Sequence, residues 1–287
     1  DLIAHDTGYP SAELALHNCL TRAHLHGKWW MNDPDCLLVR RDKSSLSLPE
    51  VQTLVSVMSL SGGMLLLSDD LRVLPGEREQ LVRQTLPPSG VAARALGLFT
   101  TEKPQRFVYT GSDRSGTLTA LGALVNWHDG PRELTVSAAA FELPDGEYHA
   151  FELWTKRYKR LKPGELVPLR IAPHGTALWL LRAATDHPQV VSLSHHLWQT
   201  LLLLEQESWD DDRRVLTISL SPKTAGDGEL RIVVPSGFRF VKVDATIGSI
   251  TVNGQSSFGD GTTLHCKLER SDTPAVVSAL FEPLDCI

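Results

Sequence analysis

The hydrophobic pattern of this chain changes its period near residue 100 of 287, and this change constrains the fold more than any other feature. Before it, apolar residues recur at helical spacing in three segments, separated by short apolar runs with the character of strands. The helices are predicted at 10–27, from the capping box Ser47–Glu50 to Gly62, and at about 75–84, and the strands at 28–31 and 64–67. This alternation is typical of an α/β region with a parallel sheet buried on both faces.

Both predicted strands run directly into polar side chains at their C-terminal ends, namely Asn32, Asp33, Asp35, Asp69 and Asp70. In (β/α)8 barrels the active site is built from the loops at that end of the strands. A barrel needs eight strands and the pattern supplies two, so residues 1–100 are expected to form only the C-terminal part of a barrel. Left open, such a sheet would expose apolar edges.

After residue 100 the pattern becomes one of short strands punctuated by turn signals such as His128–Pro131, Pro144–Gly146 and Lys162–Gly164. This is typical of an antiparallel β-sandwich. The strands are predicted at 107–109, 118–127, 133–138, 148–154, 166–171, 176–181, 215–220, 230–234, 238–243, 249–252, 263–268 and 275–281. The fold class is therefore α/β plus all-β, with domains at 1–100, 101–184 and 185–287. The sequence leaves open whether the last two form one elaborated sandwich or two modules.

The segment from Trp29 to Cys36 carries the most chemistry. Two adjacent indoles lead into a side-chain amide and two carboxylates, and Pro34 forces an extended or turning backbone at Asp33. Aromatic rings can stack on the apolar face of a sugar while carboxylates accept protons from its hydroxyl groups. The alternative is an ordinary Asn-Asp-Pro-Asp turn that ends a strand with core tryptophans. In a strand the two indoles would point to opposite faces, so at most one would reach a ligand.

Composition and motif spacing exclude several other functions. The net charge of −6 and the lack of basic blocks argue against a nucleic-acid partner, and the longest apolar runs are too short to span a membrane. The four cysteines are far apart, which favours reduced thiols in a cytoplasmic protein, although a Cys266–Cys286 disulfide stays open. Residues 1–10 lack both the pattern of a signal peptide and an initiator methionine, so the chain is expected to be part of a longer protein.

Several clusters of polar residues that could suggest metal or ligand sites have simpler interpretations. Cys19, His24 and His26 share no helix face, so neither a metal nor another cofactor is expected. The pair His195-His196 is predicted to be solvated or to cap a helix, and the acidic run 210–212 is predicted to be a charged hairpin turn. Gly62-Gly63 is interpreted as the end of a helix.

Two segments in order, Trp29-Trp30-Met31-Asn32-Asp33-Pro34-Asp35-Cys36-Leu37-Leu38-Val39-Arg40 and Leu60-Ser61-Gly62-Gly63-Met64-Leu65-Leu66-Leu67-Ser68-Asp69-Asp70-Leu71, resemble the end of the catalytic barrel of glycoside hydrolase family 36. This is the α-galactosidase (melibiase) family, related to family 27. The helix with Leu20–Ala23 and His26-Gly27 fits the same pattern, and residues 105–183 resemble the family's C-terminal β-domain. The resemblance implies a retaining glycosidase that uses one carboxylate as nucleophile and another as acid/base.

The resemblance also implies roles for individual residues. In the family the two catalytic aspartates lie on earlier barrel strands, and neither Asp1 nor Asp6 fits that context, so no catalytic residue is assigned to this chain. Asp35 is the expected substrate contact and Cys36 part of the pocket wall. Asp33 is also counted among the substrate-binding residues, although its main expected role is to orient the turn, and Trp30 is expected to face the sugar. Structural support is the favoured role for Asp69 and Asp70.

Three functional hypotheses follow. In the first, the chain is the C-terminal portion of an α-galactosidase-like enzyme that acts on a galactoside or oligosaccharide, inactive without the missing N-terminal barrel half or a homo-oligomer partner. In the second, it is a non-catalytic carbohydrate-binding or interaction module that presents Trp127, Trp154 and Trp209. In the third, it is an inactive fragment with an apolar edge prone to association.

Overall fold

The computed structural model describes residues 12–222, 228–246, 249–258, 261–268 and 274–284. Within them the chain forms mostly antiparallel sheets, and three of the four α-helices precede residue 84. None of these helices combines the length and the apolar character needed to cross a membrane.

The first part of the chain forms a helical layer. Its elements are α1 (Ala12–Thr21), a 3-10 turn (Ala23–Leu25), β1 (Cys36–Leu37), α2 (Leu48–Leu60), β2 (Leu66–Leu67) and α3 (Gly76–Arg83). Helix α2 begins at the predicted capping box, where the hydroxyl of Ser47 accepts from the backbone N–H of Glu50 and the Glu50 carboxylate accepts from that of Ser47. The box satisfies two N–H groups that the first turn leaves unpaired, so the sequence predicted this start correctly.

The prediction of a strand at 28–31 is wrong. The N–H groups of Lys28 and Trp29 both donate back to the carbonyl of Leu25, and Gly27 N–H donates to the carbonyl of Trp30. Gly27 has a φ of 71°, a left-handed conformation that glycine adopts without steric cost. The backbone therefore closes on itself as a turn and has no free edge for a neighbouring strand. The predicted helix at 10–27 likewise ends early, at Thr21.

The parallel pair is formed instead by β1 and β2, with Cys36 opposite Leu66 and Leu37 opposite Leu67. Burial on both faces was expected, but the side chains of Leu66 and Leu67 are 44% and 36% exposed, since no further strand of the described residues covers them. No part of a barrel is evident in the described ranges beyond this two-residue pairing. The barrel interpretation stays a prediction.

A six-stranded sheet follows, with the strand order β3-β4-β5-β10-β7-β8. A two-stranded ribbon, β6 with β9, completes the first sandwich. The strands are β3 (Arg94–Leu96), β4 (Arg106–Ser112), β5 (Leu118–Val125), β6 (Arg132–Val136), β7 (Tyr148–Glu152), β8 (Tyr158–Leu161), β9 (Val167–Ile171) and β10 (Thr176–Ala183).

Both faces of this sheet are buried. Phe107, Leu121 and Leu178 face the helical layer and share one core with Leu16 of α1 and Val55 of α2. Their neighbours in sequence, at positions 108, 120 and 179, face the ribbon and belong to a second core. Because successive side chains of a strand point to opposite faces, a sheet covered on both sides reads as a continuous apolar run, as β5 and β10 do. The helical layer is thus fixed on the sandwich by a common core.

The last part of the chain forms a second sandwich of two four-stranded sheets around its own core. The sheet orders are β11-β14-β17-β16 and β12-β13-β18-β15, and a short helix, α4 (Gln199–Leu203), joins β11 to β12. The strands are β11 (Gln189–Leu193), β12 (Leu204–Asp210), β13 (Val215–Leu220), β14 (Gly228–Pro235), β15 (Phe238–Ala245), β16 (Ile250–Phe258), β17 (Gly261–Leu268) and β18 (Ala275–Pro283). The acidic run 210–212 lies where β12 turns into β13, as predicted.

Of the two alternatives predicted for His195 and His196, solvation is wrong, whereas His196 does accept from the N–H of Trp198 directly before α4. They are 3% and 1% exposed, because the segment that carries them is enclosed between α3 and the second sandwich. Gln84 at the end of α3 donates its amide to the carbonyl of Ser194 at 2.7 Å, and its own carbonyl accepts from Leu197 at 2.9 Å. Within the described residues, Cys19, Cys36 and Cys266 form no disulfide with one another. The sequence left a Cys266–Cys286 disulfide open, and Cys286 lies outside the described residues.

Candidate functional site

Asn32 is the structural centre of the predicted site and is only 2% exposed. Its side-chain amide donates to the carbonyl of Ser61 at 3.0 Å, and its side-chain oxygen accepts from Nε1 of Trp30 at 3.2 Å. Its backbone N–H donates to Nδ1 of His26 at 3.0 Å, and its carbonyl accepts from Met64 at 2.9 Å. One residue therefore joins the end of α1, the indole and the segment that leads into β2.

The acidic turn beyond Asn32 closes on itself. Oδ1 of Asp33 accepts from the N–H of Asp35 at 3.0 Å, across the buried Pro34. Asp35 has a φ of 69°, which among residues with a side chain is tolerated best by Asn and Asp. Both carboxylates are exposed. No hydrogen bond or ion pair joins the Asp35 carboxylate to any residue in the described ranges, so it is available to a ligand.

Both indoles are exposed, at 80% for Trp29 and 43% for Trp30. They lie in the turn after the 3-10 helix, so the pleat alternation expected to separate them does not apply. Trp30 is oriented by its hydrogen bond to Asn32, which leaves its ring surface beside the acidic turn. The exposed side chain of Met31 extends the same apolar surface.

The two cysteines of this region differ in their surroundings. Burial raises the pKa of the Cys19 thiol, although a hydrogen bond from the backbone N–H of Asp33 acts in the opposite direction. Cys19 thus anchors the acidic turn on α1 as a neutral thiol. Cys36 begins β1 and is half-buried, so it lies next to Asp35 in the chain without being enclosed.

Asp69 has the supporting role that the sequence favoured. Its carboxylate accepts from the N–H groups of Val39 at 2.6 Å and Arg40 at 3.3 Å, and its side chain is 2% exposed. It therefore ties the end of β2 to the segment after β1. Asp70 is exposed and pairs with Arg72 at 2.7 Å.

The two acidic segments do not share one end of the parallel pair, and this corrects the expected arrangement. Asp33 and Asp35 precede β1, whereas Asp69 and Asp70 follow β2. The acidic turn lies between two contacts with the β2 segment. The carbonyl of Asn32 accepts from Met64 before the turn, and Cys36 pairs with Leu66 after it. The strand that pairs with β2 is β1, which follows the acidic turn, whereas the predicted strand at 28–31 precedes it. The acidic turn therefore lies at the start of the pair and not at its C-terminal end.

Gly63 is the functional position that sequence reasoning missed, because a glycine pair after an apolar helix was read only as a helix end. A Cβ atom at Gly63 would lie 1.9 Å from the carbonyl oxygen of Asn32. The absence of a side chain is what allows the two segments to approach. The signal available in the sequence was the second glycine, since ending a helix requires only one.

We expect Gly63→Ala to destabilise the protein by about 2–3 kcal/mol, because the new methyl group meets backbone that cannot move without breaking the Asn32 hydrogen bonds. Urea unfolding would measure the loss. Gly76→Ala is the matched control, because nothing lies within 4 Å of a Cβ there and alanine is favoured in a helix. Equal stability of the two variants would contradict the proposed close packing.

The arrangement can hold a polyhydroxylated ligand. It presents one uncommitted carboxylate, a second that keeps one oxygen free of the turn, and an indole oriented by Asn32. The described residues bring together no three His, Cys, Asp or Glu side chains that could hold a metal ion.

Three tryptophans were expected to be exposed and to form a binding platform, but none of them is exposed. Trp127 is 5% exposed and donates Nε1 to the carbonyl of Pro104 at 2.8 Å. Trp154 is half-buried and donates to the hydroxyl of Ser56 in α2 at 3.1 Å. Trp209 is also half-buried, stacked on the imidazole of His187. Packing between layers accounts for the first two.

Residues 107–181 match the family model described as the alpha galactosidase C-terminal beta sandwich domain. The matched segment runs from β4 into β10 and therefore covers most of the six-stranded sheet and its ribbon. The sandwich resembling the α-galactosidase C-terminal domain is thus supported independently of the acidic turn.

Several solved structures also resemble this chain. The α-galactosidase from Saccharomyces cerevisiae, solved with raffinose, has 14% identity and a TM-score of 0.48, with 63% of this chain and 53% of that chain covered. α-Galactosidase I from Mortierella vinacea has 14% identity and a TM-score of 0.46, with 60% of this chain and 44% of that chain covered. A family 27 β-L-arabinopyranosidase from Geobacillus stearothermophilus has 18% identity and a TM-score of 0.48, with 61% of this chain and 42% of that chain covered. The matched part of this chain thus spans about half of the yeast enzyme and less of the others.

Proposed function

We propose that this chain is the C-terminal portion of a glycoside hydrolase of the α-galactosidase type, which hydrolyses terminal α-galactosides by a retaining mechanism. The observation that carries the proposal is the match of residues 107–181 to the α-galactosidase C-terminal sandwich. The helical layer with the acidic turn shares one core with that sheet, which supports a fixed position of the turn relative to the sandwich. In this interpretation 1–100 is the barrel portion, and 101–184 and 185–287 are β domains.

In this proposal the acidic turn is one wall of a sugar site. Asp35 accepts protons from sugar hydroxyl groups, Asp33 orients the turn and also borders the ligand, Trp30 contacts the apolar face of the ring, and Cys36 belongs to the pocket wall. The Asp35 carboxylate supports this assignment, because it is exposed and has no hydrogen-bond or ion-pair partner among the described residues. No residue here is proposed as nucleophile or acid/base.

The catalytic carboxylates are proposed to come from a missing N-terminal barrel half or from a partner copy in a homo-oligomer. The support is an exposed apolar surface around the parallel pair, formed by Trp29, Met31, Met64, Leu66, Leu67 and Leu71. Unpaired strand edges with apolar side chains favour pairing with a further strand. Assignment to family 36 instead of family 27 stays a prediction, as does a cytoplasmic location.

The test is hydrolysis of a chromogenic α-galactoside by the full reading frame that contains this sequence. We expect Asp35→Asn to lower kcat/KM by roughly 10- to 100-fold, because a neutral amide oxygen accepts from sugar hydroxyl groups more weakly than a carboxylate, and one of the two acceptor oxygens becomes a donor. Asp42→Asn, in an exposed loop, is the control and should retain activity. Residues 1–287 alone should show no turnover.

Two results would overturn the proposal. The first is the absence of hydrolysis by the full reading frame, which would favour the alternatives of a non-catalytic binding module or an inactive fragment. The second is unchanged kcat/KM in Asp35→Asn, which would remove the acidic turn from the site. Turnover by residues 1–287 alone would show that the catalytic assignment is wrong.

A further inference from the structure

A polar groove of about 530 Å³ lies on the first sandwich, between the start of β4, strand β6 and the turn before β9. Gln105, Arg106, Glu133 and Thr135 line it with polar side chains, as does Ser137, whose hydroxyl accepts from the N–H of Ala140. Leu166 also lines it, with 68% of its surface exposed. We refer to it as the β6 groove. It lies on the ribbon side of the six-stranded sheet, whereas the acidic turn belongs to the helical layer on the other side.

The strand pattern directs these side chains into the groove. Along β6, Glu133 and Thr135 are exposed while Val136 is buried in the core under the ribbon. On β4, Arg106 pairs in register with Leu124 and therefore lies on the same face of the sheet as this core residue. The groove is thus formed by regular strands, which hold their side chains more rigidly than a loop does.

The charged side chains of the β6 groove are available to a ligand. The side chains of Gln105, Arg106, Glu133 and Thr135 form no hydrogen bond or ion pair within the described part of the chain. Nearby surface charges behave differently, since Arg94 pairs with Glu142 at 2.8 Å and Lys159 pairs with Glu165 at 2.7 Å. Arg106 and Glu133 therefore line the same cavity without an ion pair between them, and none joins Glu133 to Arg170, its register partner on β9.

This combination identifies a class of ligand. A fully ionised phosphate has no hydrogen to donate to the Glu133 carboxylate, and a metal cation has no acceptor for the Arg106 guanidinium. A neutral polyol suits both, because its hydroxyl groups donate to the carboxylate and accept from the guanidinium, the amide and the threonine hydroxyl. The volume falls in the range of cavities that hold small ligands, about 300–1,000 Å³, which is sufficient for a short oligosaccharide.

We propose that the β6 groove is a binding site for a neutral oligosaccharide on the first sandwich, with Glu133 and Arg106 as its main hydrogen-bonding residues. The proposal does not rest on the hydrolase activity, since the groove is formed by residues other than those of the acidic turn. It gives the sandwich a role in retaining glycans in addition to packing against the helical layer.

The experiment is a titration of the full chain with raffinose and, separately, with cellotriose and inorganic phosphate, followed by ligand-observed and amide NMR. We expect saturable binding of at least one saccharide, with shifted amides in β6, and no saturable binding of phosphate. Glu133→Gln and Arg106→Gln should each weaken saccharide binding by about fivefold or more, as expected for the loss of a charged hydrogen-bonding partner. Both positions are exposed, so the fold should survive, and circular dichroism would verify this.

The controls separate this site from the acidic turn. Glu102→Gln, exposed outside the groove, and Asp35→Asn should both leave the β6 shifts unchanged. The proposal is overturned if no saccharide binds saturably, if phosphate competes for the groove, or if the two groove variants bind as the native chain does. Binding that is lost in Asp35→Asn and kept in Glu133→Gln would place the sugar at the acidic turn, in support of the proposed function and against the groove.

Discussion

Replacing Arg182 by methionine is expected to lower the free energy of unfolding by about 3–5 kcal/mol, the range for breaking a buried ion pair by removing one partner. The Arg182 side chain is fully buried, as is that of Asp113, and the Glu207 side chain is 6% exposed. Methionine would fill much of the volume and leave two carboxylates in the interior without a cation. The loss comes from these unpaired charges more than from lost packing.

The contacts of Arg182 show why the effect extends over both sandwiches. From β10 its guanidinium binds Asp113 at 2.7 Å on the first sandwich and Glu207 at 2.8 Å on β12 of the second, and it donates to the carbonyl of Val190 on β11. Burial acts to lower the pKa of Arg182, but the charges of Glu207 and Asp113 outweigh it and raise the pKa above its ordinary value. The guanidinium therefore stays charged and ties the two sandwiches together.

Urea unfolding of the native chain and Arg182→Met would measure this effect. Arg239→Met is the matched control, because Arg239 also pairs with a carboxylate of a neighbouring strand, Glu282, but is 67% exposed, and exposed pairs contribute about 0–1 kcal/mol. A double-mutant cycle with Glu207→Gln would give the coupling across the sandwich interface. The interpretation fails if Arg182→Met costs no more than Arg239→Met.

The second large effect is a loss of stability in mild acid, caused by His196. Burial lowers the pKa of His196 to about 4, although hydrogen bonds to the carbonyls of Pro87 and Thr85 act in the opposite direction. Its Nδ1 accepts from the N–H of Trp198 at 2.9 Å, so the proton resides on Nε2, which donates to Pro87 at 3.0 Å. A second proton on Nδ1 would break the bond to Trp198.

The sign follows from the order of the two pKa values. The unfolded chain binds the proton near pH 6.5 and the folded chain only near pH 4, so the unfolded state binds more protons between these values. Stability is therefore complete above pH 6.5 and falls as the pH falls toward 4. Between pH 7.5 and pH 5 the free energy of unfolding should decrease by about 2 kcal/mol from this residue.

Urea unfolding at pH 7.5 and pH 5 would test this, with His196→Gln as the variant, since an amide can both donate to Pro87 and accept from Trp198. The variant should lose most of the pH dependence, whereas His128→Gln, at an exposed position, should retain it. Burial also lowers the pKa of His265, so His265→Gln should remove a further part with the same sign. An NMR titration that placed the His196 imidazole pKa near 6.5 would refute the prediction.

Local chemistry was sufficient to predict many elements. The capping box fixed the start of α2, and the predicted strands at 215–220 and 118–127 correspond to β13 and β5. These segments carry their own signals, either a hydrogen-bonding cap or an apolar run between turn residues. A sequence shows such signals because they depend only on neighbours in the chain.

The strands that sequence reasoning missed share a position in the fold. β1 belongs to a two-stranded sheet, and β3, β8, β11 and β12 lie at the edge of their sheets. Strands such as β8 (sequence YKRL) and β12 (sequence LEQESWD) contain charged residues, which protect an edge from pairing with another chain. Charge reduces the β signal in the sequence, and only the neighbouring strand supplies the hydrogen bonds that make these segments extended.

The acidic turn shows the same limit at the candidate site. The sequence predicted that Asp33-Pro34-Asp35 is a turn, because Pro34 and the Asp33 side chain act on adjacent backbone. It placed the turn after a strand, whereas the structure places it before β1. The position of the turn depends on the contacts of Asn32 with Met64 and Gly63, which lie about thirty residues further along the chain. A local sequence pattern contains no information about such contacts.

Local sequence signals therefore predicted the change from a helical layer to β-sandwiches, the capping box of α2 and the acidic turn. Tertiary structure alone decided that both faces of the six-stranded sheet are covered, that His196 is enclosed and neutral, and that Arg182 joins the two sandwiches. The physical reason is the range of the interactions. Propensity and capping act over a few residues, whereas burial and charge pairing depend on groups that folding brings together from distant parts of the chain.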